Sequence, residues 1–170
     1  SRGARALNRI VPAALGLLPA EHRAEVWHQT GAEHEAACEA YAQAGVEARV
    51  VAFIDDMAAA YEWADLAVAR AGALTISELA AAGLGAVLVP YPYATDDHQT
   101  ANAEQLAGLG AAVVIQEREL DAERLAAQLE ALTADRPRLA QMAAAARRLS
   151  REGAAERLAE ACVELTEARA

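Results

Sequence analysis

A chain of 170 residues is long enough for one domain with a real core, and its formal charge of −10 argues against nucleic acid or an anionic membrane surface as the main partner. All 15 basic residues are arginine, which excludes Walker-type phosphate loops and Schiff-base chemistry. An anionic ligand must then be held by local features such as helix N-termini and single arginines.

Read in chain order, apolar runs alternate with helical ones. Helical periodicity covers 5–17, 33–44, 58–63, 75–82 and 99–109, and strand candidates fall at 24–29, 49–53, 66–69, 86–89 and 111–115. The strand runs are continuous Val, Ile, Leu and Ala rather than polar alternation, as expected of strands covered on both faces. Regular βα alternation then predicts a doubly wound, mostly parallel Rossmann-like sheet. After Glu117 the strands stop, and 121–133, 137–150 and 154–167 read as packing helices. The expected organisation is a core over 1–117 closed by a helical segment over 118–170, together one domain. Ser1-Arg2-Gly3-Ala4-Arg5 looks like the small-residue turn that normally follows a first, central strand. The chain is therefore expected to begin just after that strand, as a fragment of a two-domain protein.

Cys38 and Cys162 lie far apart in alanine-rich helical stretches and read as buried thiols. The four histidines show no zinc spacing, and neither a metal nor another cofactor is expected. No apolar stretch reaches transmembrane length and no signal peptide is visible, so the reading is cytoplasmic.

In a parallel α/β sheet, ligands bind beyond the carboxyl ends of the strands, so the loops after the strands carry the information. These are His28-Gln29-Thr30-Gly31, Phe53-Ile54-Asp55-Asp56-Met57, Arg70 to Thr75, and Pro90 to Gln99 running into Asn102. The third is the most telling. Arg70-Ala71-Gly72-Ala73-Leu74-Thr75 is a small-residue turn between a strand and a helix, which brings a ligand close to backbone N–H groups at a positive helix end. Glu78 sits one turn in, where a carboxylate can accept from two vicinal hydroxyls. The same run also suits an ordinary βα connection with a helix-face glutamate. Asp55 or Asp56 suits a helix cap, and His28 suits a satisfied strand-end histidine. Gln99 and Asn102 lie three apart at a helix start and can face one cavity, where amides suit sugar hydroxyls.

The order of these loops resembles the C-terminal, donor-binding half of the MurG family, the bacterial undecaprenyl-diphospho-muramoylpentapeptide β-N-acetylglucosaminyltransferases that make lipid II. Ser1 to Asn8 looks like the end of that family's glycine-rich loop, and the later motifs, Pro90 and the Gln99/Asn102-Ala103 pair follow in the family's order. The resemblance implies half of a GT-B glycosyltransferase that holds UDP-GlcNAc. Ile54 would meet the uracil through its backbone, and Ser1 with Ala73, Leu74 and Thr75 would hold the diphosphate. Glu78 would take the ribose hydroxyls, and His98, Gln99 and Asn102 would line the GlcNAc site. Three positions depart from the family: Arg2 and His98 stand where Gln is common, and Gly85 replaces a usual Pro, which changes only the rigidity of its turn.

By the same resemblance, the intact enzyme would transfer GlcNAc to lipid I with inversion, in peptidoglycan biosynthesis at the cytoplasmic face of the bacterial inner membrane. Lipid I, the membrane contact and the catalytic base would belong to an N-terminal domain outside this chain, leaving the fragment inactive alone. The alternatives are a soluble nucleotide-sugar-binding subunit of a split GlcNAc transferase, a UDP-GlcNAc 2-epimerase-like domain, and a non-enzymatic nucleotide-binding or flavodoxin-like module.

Overall fold

The computed structural model describes residues 5–94 and 97–150. Its order is α1 (Arg5–Leu17), β1 (Trp27–Gln29), α2 (His34–Ala44), β2 (Arg49–Val51), α3 (Met57–Trp63), β3 (Ala67–Ala69), α4 (Ala73–Ala82), β4 (Ala86–Leu88), α5 (His98–Gly108), β5 (Ala112–Val114), α6 (Ala122–Thr133) and α7 (Arg136–Arg147). The alternation expected from the apolar runs is therefore present at each step. The third expected C-terminal helix, over 154–167, lies outside the described residues, as do Cys162 and the Ser1–Ala4 turn.

All strand pairs are parallel, in two groups: β1 with β2, and β3-β4-β5. Trp27 pairs with Arg49 in the first; Ala67, Ala86 and Ala112 are in register across the second. Among the described residues no ladder joins β1 to β3, so the expected sheet is divided. The ladders are also shorter than the apolar runs, because a strand counts only where a neighbour pairs with it. Val89 and Ile115 continue the pattern past the assigned ends, donating to Ala69 and Leu88 carbonyls at 2.9 and 3.0 Å.

β4 shows why the fold is layered. Every residue of it is buried, and its side chains alternate between two cores. Val87 and Val89 join Leu7 and Leu15 of α1, Tyr41 of α2, and Leu125, Leu129 and Leu132 of α6. Ala86 and Leu88 join Ile76 and Leu79 of α4 and Ala103 and Leu106 of α5. Helices thus cover both faces, which is why the strands read as unbroken apolar runs. A fully buried leucine such as Leu88 contributes about 2 kcal/mol relative to exposure. Val26 and Val50 pack on the first core as well, so the β1–β2 pair shares a layer with the other sheet.

α7 closes the edge, placing Leu139 and Met142 in one core and Ala145 and Ala146 in the other. Gly85 matters here more than turn rigidity suggests. A Cβ on it would lie 2.8 Å from Met142 Cβ, so the missing side chain lets α7 approach the start of β4. Two surface depressions flank α7 beside residues that precede strands, including Asp65, Gly83 and Gly110, at the edge opposite the loops described next.

Candidate functional site

The loops that follow β1 to β5 gather at the carboxyl edge of the strands, and long-range hydrogen bonds lace them together. Gln29, at the end of β1, accepts from the Ile54 N–H through Oε1 at 2.8 Å. This joins the loop after β2 to the loop after β1. Ile54 is itself buried, whereas the neighbouring Phe53 is exposed. Asp56 caps α3, its Oδ1 accepting from Ala59 N at 2.9 Å, so one of the two expected acidic caps is in place.

Arg70 ties the other sheet's loops. Its Nη1 donates to the Val89 and Pro90 carbonyls at 3.1 Å each, and its Nη2 donates to Glu117 beyond β5. The guanidinium also lies 5.4 Å from the centre of the Tyr91 ring. One largely buried cation therefore holds the ends of β3, β4 and β5 in fixed relation.

α4, like α2 and α5 and unlike α3, begins without a hydrogen bond from an N-cap side chain. Gly72 is its N-cap, in extended backbone, so no cap side chain accepts from the N–H groups of the first turn formed by Ala73, Leu74 and Thr75, whose Ala73 carbonyl accepts from Ser77 Oγ at 3.0 Å. Leu74 is among the most exposed apolar residues described. N–H groups at such a start carry partial positive charge and suit an anion. Glu78 follows one turn on, exposed, and Tyr61 Oη of α3 donates to its Oε2 at 2.9 Å. Burial, then the hydrogen bond to Glu78 and that carboxylate's charge, raise the Tyr61 pKa above the usual phenol range. Tyr61 therefore stays a donor at any working pH.

α5 supplies the remaining candidates. His98 opens it, Gln99 Oε1 accepts from Tyr91 N at 3.0 Å, and Asn102 Nδ2 donates to Ala71 O at 3.0 Å. Both amides thus brace loops with one end, leaving the Gln99 NH₂ and the Asn102 Oδ1 for other partners. Asn102 thus reaches the β3–α4 turn that leads into Ala73, Leu74, Thr75 and Glu78, Gln99 braces the loop after β4, and Ile54 is tied to the loop after β1. Ser1 lies outside the described residues.

His28 is a structural histidine. Its Nδ1 shares a 2.9 Å hydrogen bond with Tyr41 Oη, the rings meet edge to face, and burial lowers its pKa from 6.5 to about 4. Reading the sequence did not assign roles to Asn8, Tyr61 or Arg70. Asn8 had a signal: it is a polar residue on the buried face of α1, with Leu7, Pro12 and Leu15. Its Nδ2 donates to Thr30 O at 3.0 Å and to Glu33 Oε2 at 3.2 Å, tying α1 to the loop after β1. Among the described residues there is no group of three or more His, Cys, Asp or Glu arranged to hold a metal, and no helix long and apolar enough to cross a membrane.

Parallel strands with helices on both faces, and polar loops at their carboxyl edge, define a doubly wound α/β domain. Residues 1–158 match the glycosyltransferase family 28 C-terminal domain. The chain belongs to that family. It is 59% identical to the UDP-N-acetylglucosamine–N-acetylmuramyl-(pentapeptide) pyrophosphoryl-undecaprenol N-acetylglucosamine transferase of Nitrosococcus oceani, over 97% of this chain and 46% of that protein. The transferase of the same name from Azotobacter vinelandii is 52% identical, over 97% of this chain and 47% of that protein. Among solved structures, the crystal structure of Acinetobacter baumannii MurG superposes with a TM-score of 0.84 at 43% identity, over 93% of this chain and 46% of that one. The chain spans about half the length of the curated relatives it matches.

Proposed function

We propose that this chain is the donor-binding half of an inverting transferase that moves GlcNAc from UDP-GlcNAc to lipid I. The observation that carries the reading is the uncapped start of α4 at the carboxyl edge, with Glu78 one turn further along. A diphosphate at Ala73, Leu74 and Thr75 and a ribose diol at Glu78 are two parts of one nucleotide. The relatives' printed name supplies the sugar and the acceptor.

In this reading residues 1–117 form the donor core and 118–170 the closing helical segment. Ser1 adds to the diphosphate contacts. The Ile54 N–H is held by Gln29, so the contact this arrangement leaves for uracil is the Ile54 carbonyl, accepting from the base N–H. The Gln99 NH₂, the Asn102 Oδ1 and His98 face the GlcNAc hydroxyls.

The acceptor 4-hydroxyl oxygen attacks the anomeric carbon, the bond from that carbon to the diphosphate breaks, and UDP leaves with the electron pair. Negative charge grows on the diphosphate as it departs. A helix start fixed on that charge stabilises the transition state more than the ground state, and loss of one such donor typically costs about 3 kcal/mol of barrier. Lipid I, membrane contact at the cytoplasmic face and the base that takes the acceptor proton are supplied from outside these 170 residues. What supports this division is that the relatives are about twice as long.

A thermal-shift panel of nucleotide sugars tests the reading. UDP-GlcNAc is expected to raise the melting temperature where ADP-glucose does not, and Glu78→Ala to lose most of that gain. Equal stabilisation of both variants by the uridine ligand would remove Glu78 from the site.

A further inference from the structure

Glu78 is exposed on α4, and a lone exposed carboxylate samples several rotamers, few of which present an oxygen to a diol. Here one oxygen is held. Tyr61 Oη donates to Glu78 Oε2 at 2.9 Å across the junction of α3 and α4. The Tyr61 ring is only partly exposed, packed against the core that holds Ile76, Leu79 and Leu84, so its hydroxyl is a fixed point. The placement matters because α3 follows the Ile54 loop directly, whereas α4 carries Glu78. The base contact proposed above thus sits on the loop that leads into α3 and the ribose contact on α4, and this bond joins the two helices.

We propose that Tyr61 is a positioning residue for nucleoside recognition: its hydroxyl anchors Glu78 Oε2, so that Oε1 is turned to the ribose diol at the spacing set by the Ile54 loop. The inference rests on the proposed role of Glu78 in binding a uridine nucleotide. Its alternative is a plain tie between two helices, with no consequence specific to ribose.

Calorimetry on the full chain separates the two, using UDP and 2′,3′-dideoxy-UDP as probes with Tyr61→Phe, Glu78→Gln and the double variant. Tyr61→Phe keeps the ring and its packing, and its melting temperature checks that the fold is kept. It should weaken UDP about three- to tenfold, the worth of one hydrogen bond, and change the dideoxy analogue by less than about twofold. In the Glu78→Gln background the same change should cost less than about twofold, because the group it positions is already altered. Equal loss of both ligands on Tyr61→Phe means a structural tie and overturns the inference. So does unchanged UDP affinity in Tyr61→Phe alongside a loss in Glu78→Gln, which leaves the ribose role of Glu78 standing. If Glu78→Gln itself binds UDP like the wild type, both the role of Glu78 and the inference built on it fall.

Discussion

Two loops of the same rim are built in opposite ways. After β1, the chain is closed on itself: Thr30 N and Gly31 N donate to the Val51 and Ala52 carbonyls at 3.0 Å, and Thr30 Oγ1 adds a bond to Val51 O. Asn8 covers the Thr30 carbonyl from α1, and His28 beneath is bonded to Tyr41. After β3, the turn is held from outside, by Asn102 on the Ala71 carbonyl, and it runs straight into α4 with Gly72 as N-cap; α2, which follows the first loop, has no side-chain cap either. The same architecture therefore yields one loop closed by its own backbone and side-chain groups and one braced by a neighbouring helix, the latter being the loop proposed above for the diphosphate. By contrast α6, which follows the loop after β5, and α7 are capped by Asp121 and Asp135 in the usual manner.

The largest expected effect comes from breaking the closed side by pH. The His28 pKa is about 4 in the fold and 6.5 in an unfolded chain, because burial disfavours the imidazolium. Between those values the unfolded chain binds a proton that the folded chain refuses. Stability from this group is thus fully present above pH 6.5 and is lost as pH falls towards 4, on the order of 3 kcal/mol in all. Urea unfolding at several pH values checks this against His28→Gln, which can still bond Tyr41 but does not titrate. The variant should show the shallower loss below pH 6.5, and parallel curves would mean that His28 does not drive it.

Closing the open side is the second test. Gly72→Asp adds a carboxylate where α4 lacks one. The backbone tolerates it: φ is −65°, and an added Cβ meets only Thr75 Oγ1 at 3.8 Å. The new side chain would accept from the Thr75 N–H and place negative charge where the diphosphate is proposed. Stability should change by only a few tenths of a kcal/mol, since aspartate and glycine are both adequate N-caps. UDP affinity should fall by about tenfold or more, roughly 1.4 kcal/mol. Undiminished UDP binding in a well-folded Gly72→Asp protein would place the diphosphate elsewhere.

The contrast between the two loops also marks how far the sequence could be read. The layers, the parallel strands and the sites of the loops were legible, because continuous apolar runs and turn residues are local signals. So was the family, through four motifs in one order, which the relatives bear out. The start of α4 was placed two residues late: Ala73 and Leu74 are good helix formers, and Gly72 stops the strand and caps the helix in one position. What escaped was pairing. Arg70 meets Glu117 from 47 residues away, Gln29 meets Ile54 from 25, and Tyr61 meets Glu78 from 17. Nothing in the residue types says which amide or phenol will find which backbone group once the strands align. The division of the sheet between β1 and β3 is likewise a property of which strands meet, not of any one run.

The smallest effect is the control on the whole contrast. Asp121 Oδ1 accepts from Arg124 N at 2.7 Å and starts α6, whose Leu125, Leu129 and Leu132 lie in the first core with α1. Asp121→Ala removes that cap and should cost about 1 kcal/mol in urea unfolding, because an orphan helix donor loses its partner. It lies in the connection to the closing helices, so UDP affinity measured by calorimetry should stay within about twofold, as expected for independent sites. Its effect is then the reverse of Gly72→Asp, with stability lost and binding kept. If Asp121→Ala weakened UDP as much as Gly72→Asp does, helix starts in general would influence ligand binding through stability alone. The open start of α4 would then have no special claim to the diphosphate.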